Sequence, residues 1–310
     1  MAFFRKKGSR VQSHRSSLRL SGSQKSMVYT ACLLLLVFYG LFMVFPIVYS
    51  FVGSLHNWQP HRNKFTYVGF DNYKWLFGEP LTYSALGNTL LFTAVVTFFR
   101  TGLGLVFAVL INEMKHSRAF FRTVYFLPVI TSTVAVSMVW KWLYEPITGP
   151  LNYYIVQLGL PRAMFLRDGS TALFSVMLMT IWKDMGYAVV LYMAGLSGVP
   201  ASLYESAQID GCSRWKAFWH ITLPMLNSTT MLILITSVIT YCQTFTQIDL
   251  MTGGGPGATS YTLVYMLYKE AFGSKYRFGR ASAIAFFLFA IILVFSILQL
   301  KLNKKDGDAA

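Results

Sequence analysis

The feature that most limits how this chain can fold is a series of apolar stretches, each close to the length of a membrane-spanning helix. About 20 consecutive apolar residues are needed to cross a bilayer as a helix. Six stretches approach or exceed this length, at about residues 27–51, 84–112, 120–143, 172–196, 223–247 and 279–300. Only 13% of the residues are charged, whereas soluble domains carry about 25%. The sequence therefore predicts an all-α polytopic membrane protein with six transmembrane helices in one membrane domain.

The distribution of basic residues predicts how these spans are oriented. Residues 1–26 form a basic, Ser-rich tail that we expect to be flexible, and residues 304–310 form a second, short tail. If both termini are cytoplasmic, the cytoplasmic segments carry fifteen Lys and Arg residues and the external segments carry eight. Positive charge is concentrated on the cytoplasmic loops of membrane proteins. We therefore expect both termini and the loop 200–222 to lie in the cytoplasm, and the net charge of +15 needs no nucleic-acid partner.

The chain lacks the residue patterns of several kinds of catalytic and metal site. Its three cysteines show no CxxC spacing and no disulfide framework. Its five histidines form no HExxH pattern, so we expect no metal site and no cofactor bound by this chain. It has no Walker A pattern (G-x-x-x-x-G-K-S/T), so it cannot hydrolyse ATP through that motif. A membrane-embedded enzyme would need clustered nucleophilic residues near one face, and none is apparent.

The polar stretch between the fourth and fifth apolar blocks, residues 200–222, is predicted to form a small structure of its own. An S-x-x-E capping box at Ser202 begins a helix. Gly211 suits the left-handed residue that ends a helix, Ser213 can cap a second short helix, and Pro224 can open the next long one. The stretch therefore predicts a helix, a tight turn and a second helix. It is either an ordinary interhelical loop or a docking surface for another protein.

The same stretch resembles the EAA signature of ABC-importer permeases, E-A-A-x3-G-x9-I-x-L-P. Every spacing is present, and the single departure is Ser206 where the family usually has alanine. The resemblance implies that this loop couples to an ATPase subunit. The residues expected to carry the coupling are Glu205, Ser206, Ala207, Asp210, Gly211, Leu223 and Pro224. Further segments are similar to carbohydrate-type permeases, namely 69–73 (GFDNY), 140–143 (WKWL) with Gly149 and Asn152, 252–257 (TGGGPG) and 262–265 (TLVY).

The resemblance covers about residues 27–303 and implies the type I ABC importer permease fold, most like permeases of the maltose type. It also implies a second related permease, two ABC ATPase subunits that bind ATP and magnesium, and an extracytoplasmic solute-binding protein. The chain would then lie in a bacterial-type inner membrane and form the translocation path for a sugar or oligosaccharide. Glycerol-3-phosphate importers have permeases of similar pattern and are the alternative. A passive channel would need neither the EAA loop nor these partners.

Polar side chains within the fourth and fifth apolar blocks are the candidate substrate contacts. A sugar needs hydrogen-bonding groups and an aromatic face to stack against, and both occur there. The candidates are Trp182, Lys183, Asp184, Tyr187, Thr240, Gln243, Thr244 and Gln247. By resemblance, Asp184 and Tyr187 fall where maltose-type permeases contact sugar, and Gln243 and Thr244 fall on the corresponding polar stretch of the fifth span. The alternative for such residues is that they only bridge neighbouring helices.

Two basic residues also lie within the apolar blocks. A lipid-facing arginine at Arg100 would be costly, so this side chain should face protein or a wet cavity. Lys183 next to Asp184 could be a local charge compensation. If the cargo were glycerol-3-phosphate, Arg100 and Lys183 would be the candidate anion contacts. Arg100 could otherwise be a partner for an acidic substrate or for a charged group on the second permease.

Overall fold

The structure, a computed structural model, describes residues 22–114 and 117–307, with side chains for 24–114 and 117–301. Most of the predicted basic tail 1–26 and the last three residues lie outside the described residues. The chain divides into two units, residues 1–50 and 51–310. The first unit contains α1 (Gly22–Tyr39), a π-helical turn (Gly40–Val44) and the start of α2 (Phe45–Ser54). The helical stretch Gln24–Ser54 is long and apolar enough to cross a membrane, as predicted for residues 27–51.

The second unit begins with the end of α2, which is followed by a two-stranded hairpin that the all-α prediction missed. Strands β1 (His56–Gln59) and β2 (Lys64–Tyr67) pair antiparallel and are joined by a 3₁₀ turn at Pro60–Arg62. Strands of four residues are too short for a clear alternation of apolar and polar residues. Helix α3 (Asp71–Gly78) follows, and its Asn72 amide donates hydrogen bonds to the backbone oxygens of Ser54 and His56 at 2.8 and 2.9 Å. These bonds fix the hairpin to the helices on both sides of it.

The next five helices are α4 (Pro80–Glu113), α5 (Arg118–Ile130), α6 (Thr133–Leu143), α7 (Pro150–Gln157) and α8 (Ala172–Ser197). Helices α4 and α8 are continuous candidate spans, as predicted. The third predicted span is instead two helices, α5 and α6, bent by 95°. The sequence predicts a kink at Pro128, but that residue lies inside α5. The break falls at Thr131 and Ser132, because their ψ angles of 142° and 129° are extended and cannot continue a helix.

The remaining elements are α9 (Ala201–Ile209), α10 (Arg214–Ala217), a π-helical turn (Phe218–Thr222), α11 (Leu223–Met225), α12 (Asn227–Cys242), α13 (Thr246–Met251), α14 (Leu263–Phe272) and α15 (Phe278–Gly307). The fifth predicted span, 223–247, is not one helix. The helical segment Arg214–Met225 meets α12 at 62°, and α12 ends at Cys242. The long helix therefore does not open at Pro224, because that residue belongs to the helical segment that already begins at Arg214.

The number of spans depends on how the bent pairs are counted. Within the described residues, four helices are long and apolar enough to cross a membrane, and up to six spans result if each bent pair is one span. The last of them, α15, continues beyond residue 300 to Gly307, so part of the predicted C-terminal tail is helical.

Helices α4 and α8 form the centre of the packing in the second unit. Phe92 and Val96 of α4 are fully buried and share one apolar cluster with Val176 of α8. On another face of α8, Gly186 packs so closely on the backbone carbonyl of Tyr125 in α5 that no Cβ could fit there. Small residues allow such close contacts between helices in membranes. This packing fixes the position of α8, whose polar residues lie between α4, α5 and α12.

Candidate functional site

The helix-turn-helix predicted for residues 200–222 is present as α9 followed by α10. Gly211 has φ +73°, as predicted for the residue that ends the first helix. The turn is a Schellman motif, because the Cys212 amide donates to the Ala207 carbonyl at 2.8 Å and the Gly211 amide donates to the Gln208 carbonyl at 3.1 Å. Ser213 caps α10 as predicted, its hydroxyl accepting a hydrogen bond from a backbone amide of that helix.

The beginning of α9 differs from the prediction. Its N-cap residue is Pro200, and no side chain caps the helix. The capping box predicted at Ser202 is therefore wrong, since Ser202 is already inside the helix. Glu205 is not used as a cap and is exposed, and Asp210 is exposed beside the turn. Neither carboxylate has an ion pair within the described part of the chain.

The predicted coupling residues divide between two places. Glu205, Ser206, Asp210 and Gly211 are exposed on α9 and its turn, whereas Leu223 and Pro224 lie in α11. Ala207 is half-buried and lines a cleft of about 560 Å³ between the helix pair and the end of α4. The Tyr204 and Thr222 hydroxyls are hydrogen-bonded at 2.9 Å and tie α9 to the π-helical turn. The two helices are therefore held together by a hydrogen bond to the following turn. Their two exposed carboxylates, Glu205 and Asp210, can bind basic groups of another protein.

A polar cavity of about 210 Å³ lies where α8 meets the C-terminal end of α12. Six of the eight predicted substrate residues line it, namely Lys183, Asp184, Thr240, Gln243, Thr244 and Gln247. Two of these are ordered by a hydrogen bond, in which the Gln247 side-chain amide donates to the Thr244 hydroxyl at 3.1 Å. The Gln243 side chain is exposed. The structure therefore brings together predicted residues from α8, α12, α13 and the link between α12 and α13. Their contact with a substrate stays a prediction.

Asp184 is the charged centre of this cavity and lies near the middle of α8. Its Oδ1 atom accepts a hydrogen bond from Lys183 Nζ at 3.3 Å, and its Oδ2 atom accepts one from the Tyr241 hydroxyl at 3.2 Å. Lys183 also donates to the Val129 backbone oxygen at 3.4 Å. A charged side chain in the middle of a membrane helix costs about 3 kcal/mol on insertion scales. The donors around Asp184 offset part of this cost and hold the carboxylate at the cavity wall.

A second cavity of about 220 Å³ shares Asp184 and Tyr241 with the first and is also lined by Arg100 and Tyr187. Arg100 donates to the Ser237 hydroxyl at 2.8 Å and to the Asp184 backbone oxygen at 3.3 Å. Its guanidinium carbon lies 5.0 Å from the ring centroid of Tyr187 and 5.5 Å from that of Tyr241, within the range of cation–π attraction. Arg100 therefore faces protein and a cavity, as predicted from its place in an apolar block.

Residues 100–305 match the family model for the inner membrane component of binding-protein-dependent transport systems. The chain belongs to this family. It is 34% identical over 272 residues to the probable ABC transporter permease protein YurN of Bacillus subtilis, a match that covers 86% of this chain and 93% of the relative. It is 30% identical over 291 residues to the trehalose/maltose transport system permease protein MalF of Thermococcus litoralis, covering 94% and 98% of the two chains.

The fold of this permease agrees with its family. A chain of the bacterial alginate ABC transporter, solved in complex with an alginate pentasaccharide-bound periplasmic protein, superposes with a TM-score of 0.81. The match covers 91% of this chain and 96% of the other at 24% identity, and it therefore shows the fold alone. The predictions of a type I ABC permease fold and of a non-catalytic transport subunit of the inner membrane are confirmed.

The permease also contains site residues that the sequence prediction did not select. Tyr241 lines both cavities and is bonded to Asp184. Tyr241 directly follows the selected Thr240 in the polar end of the fifth apolar block, and this position is the sequence signal that could have identified it. In contrast, Trp182 lines neither cavity, because its ring packs on that of Trp140 with centroids 5.4 Å apart.

Proposed function

We propose that this permease forms the translocation path for a sugar or oligosaccharide and couples to ATP hydrolysis through α9 and α10. The observation that carries the proposal is the pair of polar cavities on either side of Asp184 and Tyr241, near the middle of α8. They combine hydroxyl, amide and carboxylate groups with the half-exposed ring of Tyr187. This is the mixture that a sugar requires, with hydrogen bonds for its hydroxyls and a flat apolar face for its ring.

The coupling proposal rests on the geometry of the helix pair. Glu205 and Asp210 are exposed and have no ion pair within the described residues, so basic side chains of an ATPase subunit can reach them. The Schellman turn at Gly211 and the bond between the Tyr204 and Thr222 hydroxyls make the pair a stiff unit. A stiff unit transmits a displacement better than a loose loop.

The same proposal includes the partner proteins and the location of the permease in the cell. The family depends on a binding protein, and we propose an extracytoplasmic solute-binding protein that delivers the sugar. Two ABC ATPase subunits, which bind ATP and magnesium, and a second related permease complete the complex. The helix pair and both termini are proposed to lie on the cytoplasmic side of the inner membrane.

Glycerol-3-phosphate is the alternative cargo. The observation in its favour is the presence of Arg100 and Lys183 beside the cavities. Uptake of labelled compounds by proteoliposomes that contain the complete transporter and its binding protein separates the two. Import of a mono- or oligosaccharide supports the proposal, whereas import of glycerol-3-phosphate without any sugar contradicts it.

The coupling function is tested by Gly211→Pro. Proline fixes φ near −65° and has no amide hydrogen, so it can neither adopt φ +73° nor donate to the Gln208 carbonyl. We expect the complex to assemble and hydrolyse ATP while sugar uptake falls at least tenfold. Gly159→Pro is the matched control, because Gly159 follows α7 with φ +74° and its amide donates to the Val156 carbonyl at 2.9 Å. Equal loss of uptake in both variants, or normal uptake by Gly211→Pro, would contradict coupling at α9.

A further inference from the structure

Arg100 is a buried cation in a membrane span for which the described residues provide no counter-ion. Its side chain is on α4 and the residue is only 6% exposed. Both of its hydrogen-bond acceptors, the Ser237 hydroxyl and the Asp184 backbone oxygen, are neutral. No carboxylate oxygen of residues 24–114 and 117–301, whose side chains the structure describes, lies within 4.0 Å of its guanidinium nitrogens. Charged side chains inside membranes are almost always paired or face a water-filled cavity.

Asp184 contacts Arg100 through its backbone oxygen, but its carboxylate is already engaged by other donors. Asp184 accepts from Lys183 on one oxygen and from the Tyr241 hydroxyl on the other. The charged residues that line the two cavities are therefore two cations, Arg100 and Lys183, and one carboxylate. The residues that line the two cavities together have a formal excess of one positive charge.

The unpaired cation is buried, but part of its side chain lines a cavity. Arg100 lines the cavity of about 220 Å³ together with Tyr187, Thr236 and Thr240. A guanidinium group has five N–H donors, of which two are used here. Those that remain form a planar fork that suits a carboxylate or phosphate group. The guanidinium carbon lies over one face of the Tyr187 ring, 5.0 Å from its centroid, and Tyr187 is 38% exposed, so its exposed part can contact a sugar ring next to the fork.

We propose that the cargo of this permease is an acidic saccharide, and that its carboxylate or phosphate group binds Arg100 in the cavity beside Tyr187. This inference rests on the proposed transport of a saccharide and adds the charge of the substrate to it. One acidic group neutralises the excess charge of the cavity lining, so the site suits a saccharide that places one such group at a time in the cavity. A carboxylate from the second permease has the same chemistry, and the experiment below distinguishes the two sources.

The first part of the test compares neutral and acidic sugars of matched size. The complete transporter with its binding protein is reconstituted in proteoliposomes, and uptake is measured for galactose and galacturonate, cellobiose and cellobiouronic acid, and longer pairs built in the same way. We expect the acidic member of a pair to enter at least tenfold faster than the neutral one. Import of neutral members alone overturns the inference and leaves the proposed function standing. Import of no saccharide overturns both.

The second part of the test removes or neutralises the charge of Arg100. We expect Arg100→Gln to lower acidic uptake at least tenfold, mainly through a higher KM, with the second permease still co-purifying. Arg100→Lys keeps the charge without the fork and should lose less. Unchanged acidic uptake in Arg100→Gln overturns the inference. Loss of the second permease from that variant assigns the missing carboxylate to the partner subunit and also overturns it.

A further pair of variants adds a counter-ion without touching Arg100. Thr236 lines the same cavity on α12. Thr236→Glu brings a carboxylate to it, and Thr236→Gln brings a side chain of the same size without charge. We expect acidic uptake by Thr236→Glu to be at least tenfold below that of Thr236→Gln, and the thermal unfolding temperature of its complex to be higher. Equal uptake by the two variants contradicts a role for the unpaired charge in binding the cargo.

Discussion

At the scale of single residues, Asp184 and Tyr241 form the wall that separates the two cavities. Asp184 comes from α8 and Tyr241 from α12, and the hydroxyl of the second donates to the carboxylate of the first at 3.2 Å. Tyr241 is 1% exposed, so water cannot easily replace this bond. The position of the carboxylate therefore depends in part on a phenol group of a neighbouring helix, together with Lys183 of its own helix.

Tyr241→Phe tests this dependence. The ring keeps its packing, but the Asp184 carboxylate loses one of its two side-chain donors. Hydrogen bonds to charged groups contribute about 1.5–3 kcal/mol, so we expect the unfolding temperature of the purified complex to fall by a few degrees and uptake to fall about tenfold. Tyr144→Phe is the control, because Tyr144 is equally buried and donates to the Ser175 backbone oxygen, away from both cavities. A variant at Tyr241 that behaves like this control would contradict a role for the wall in transport.

The sequence predicted which residues meet at the cavities better than it predicted how they meet. Lys183, Asp184 and Thr240 were recognised because polar residues stand out in apolar blocks. The contact of Arg100 with Ser237 and with two tyrosine rings joins residues far apart in the chain, and no local pattern encodes such a pairing. Trp182 is a candidate by its residue type, but its ring packs on Trp140 and it lines neither cavity.

At the scale of elements, the contact between α5 and α8 is set by Gly186. A Cβ at this position would collide with the backbone carbonyl of Tyr125, and a backbone atom cannot move aside as a flexible side chain can. We expect Gly186→Ala to destabilise the purified complex, since overpacking costs about 1–3 kcal/mol, and to lower its unfolding temperature by several degrees.

Gly102→Ala is the matched control for this prediction. Gly102 lies inside α4, and apart from the backbone of its own helix a Cβ there would meet no described atom within 4 Å. This second substitution should change the unfolding temperature by less than one degree, because it adds a methyl group without a clash. Equal effects of the two substitutions would contradict the close approach of α5 to α8.

The bent spans show which features of the helices the sequence patterns do not predict. Apolar runs predicted where membrane helices lie, and α4, α8 and α15 follow the runs closely. A proline inside a run suggested a kink at Pro128, yet the 95° bend is made three residues later by the extended backbone of Thr131 and Ser132. Neither residue type forbids a helix, so the tertiary packing around them decides the conformation. The turn at Gly211 was predictable because only a left-handed residue can end α9 in this way.

At the scale of the whole molecule, the helix pair and the cavities are connected directly along the chain. α8 carries Asp184 near its middle and ends at Ser197, just before the N-cap of α9 at Pro200. After α10 and α11, the chain enters α12, which carries Thr240 and Tyr241. Both helices that supply the cavity wall are therefore continuous with the helix pair. A displacement of α9 and α10 by an ATPase subunit would act on both sides of the wall at once.

This coupling requires the helix pair to lie in the cytoplasm, which is the orientation that the basic residues predict. Cys212, in the turn between α9 and α10, is partly exposed and is a natural reporter of its side of the membrane. A membrane-impermeant maleimide should label it in inside-out vesicles and not in right-side-out vesicles. Cys242 is buried and Cys32 lies in an apolar candidate span, so a charged reagent should reach neither.

Thr66→Cys in a Cys212→Ser background is the opposite reporter. Thr66 is exposed on β2, in the segment between the first two spans that the charge distribution predicts to be external. Right-side-out vesicles should therefore label this variant, and inside-out vesicles should not. If Cys212 were labelled only in right-side-out vesicles and Thr66→Cys only in inside-out vesicles, α9 and α10 would lie outside the cell. No ATPase subunit could then act on Asp184 through them, and the proposed mechanism would have to be abandoned.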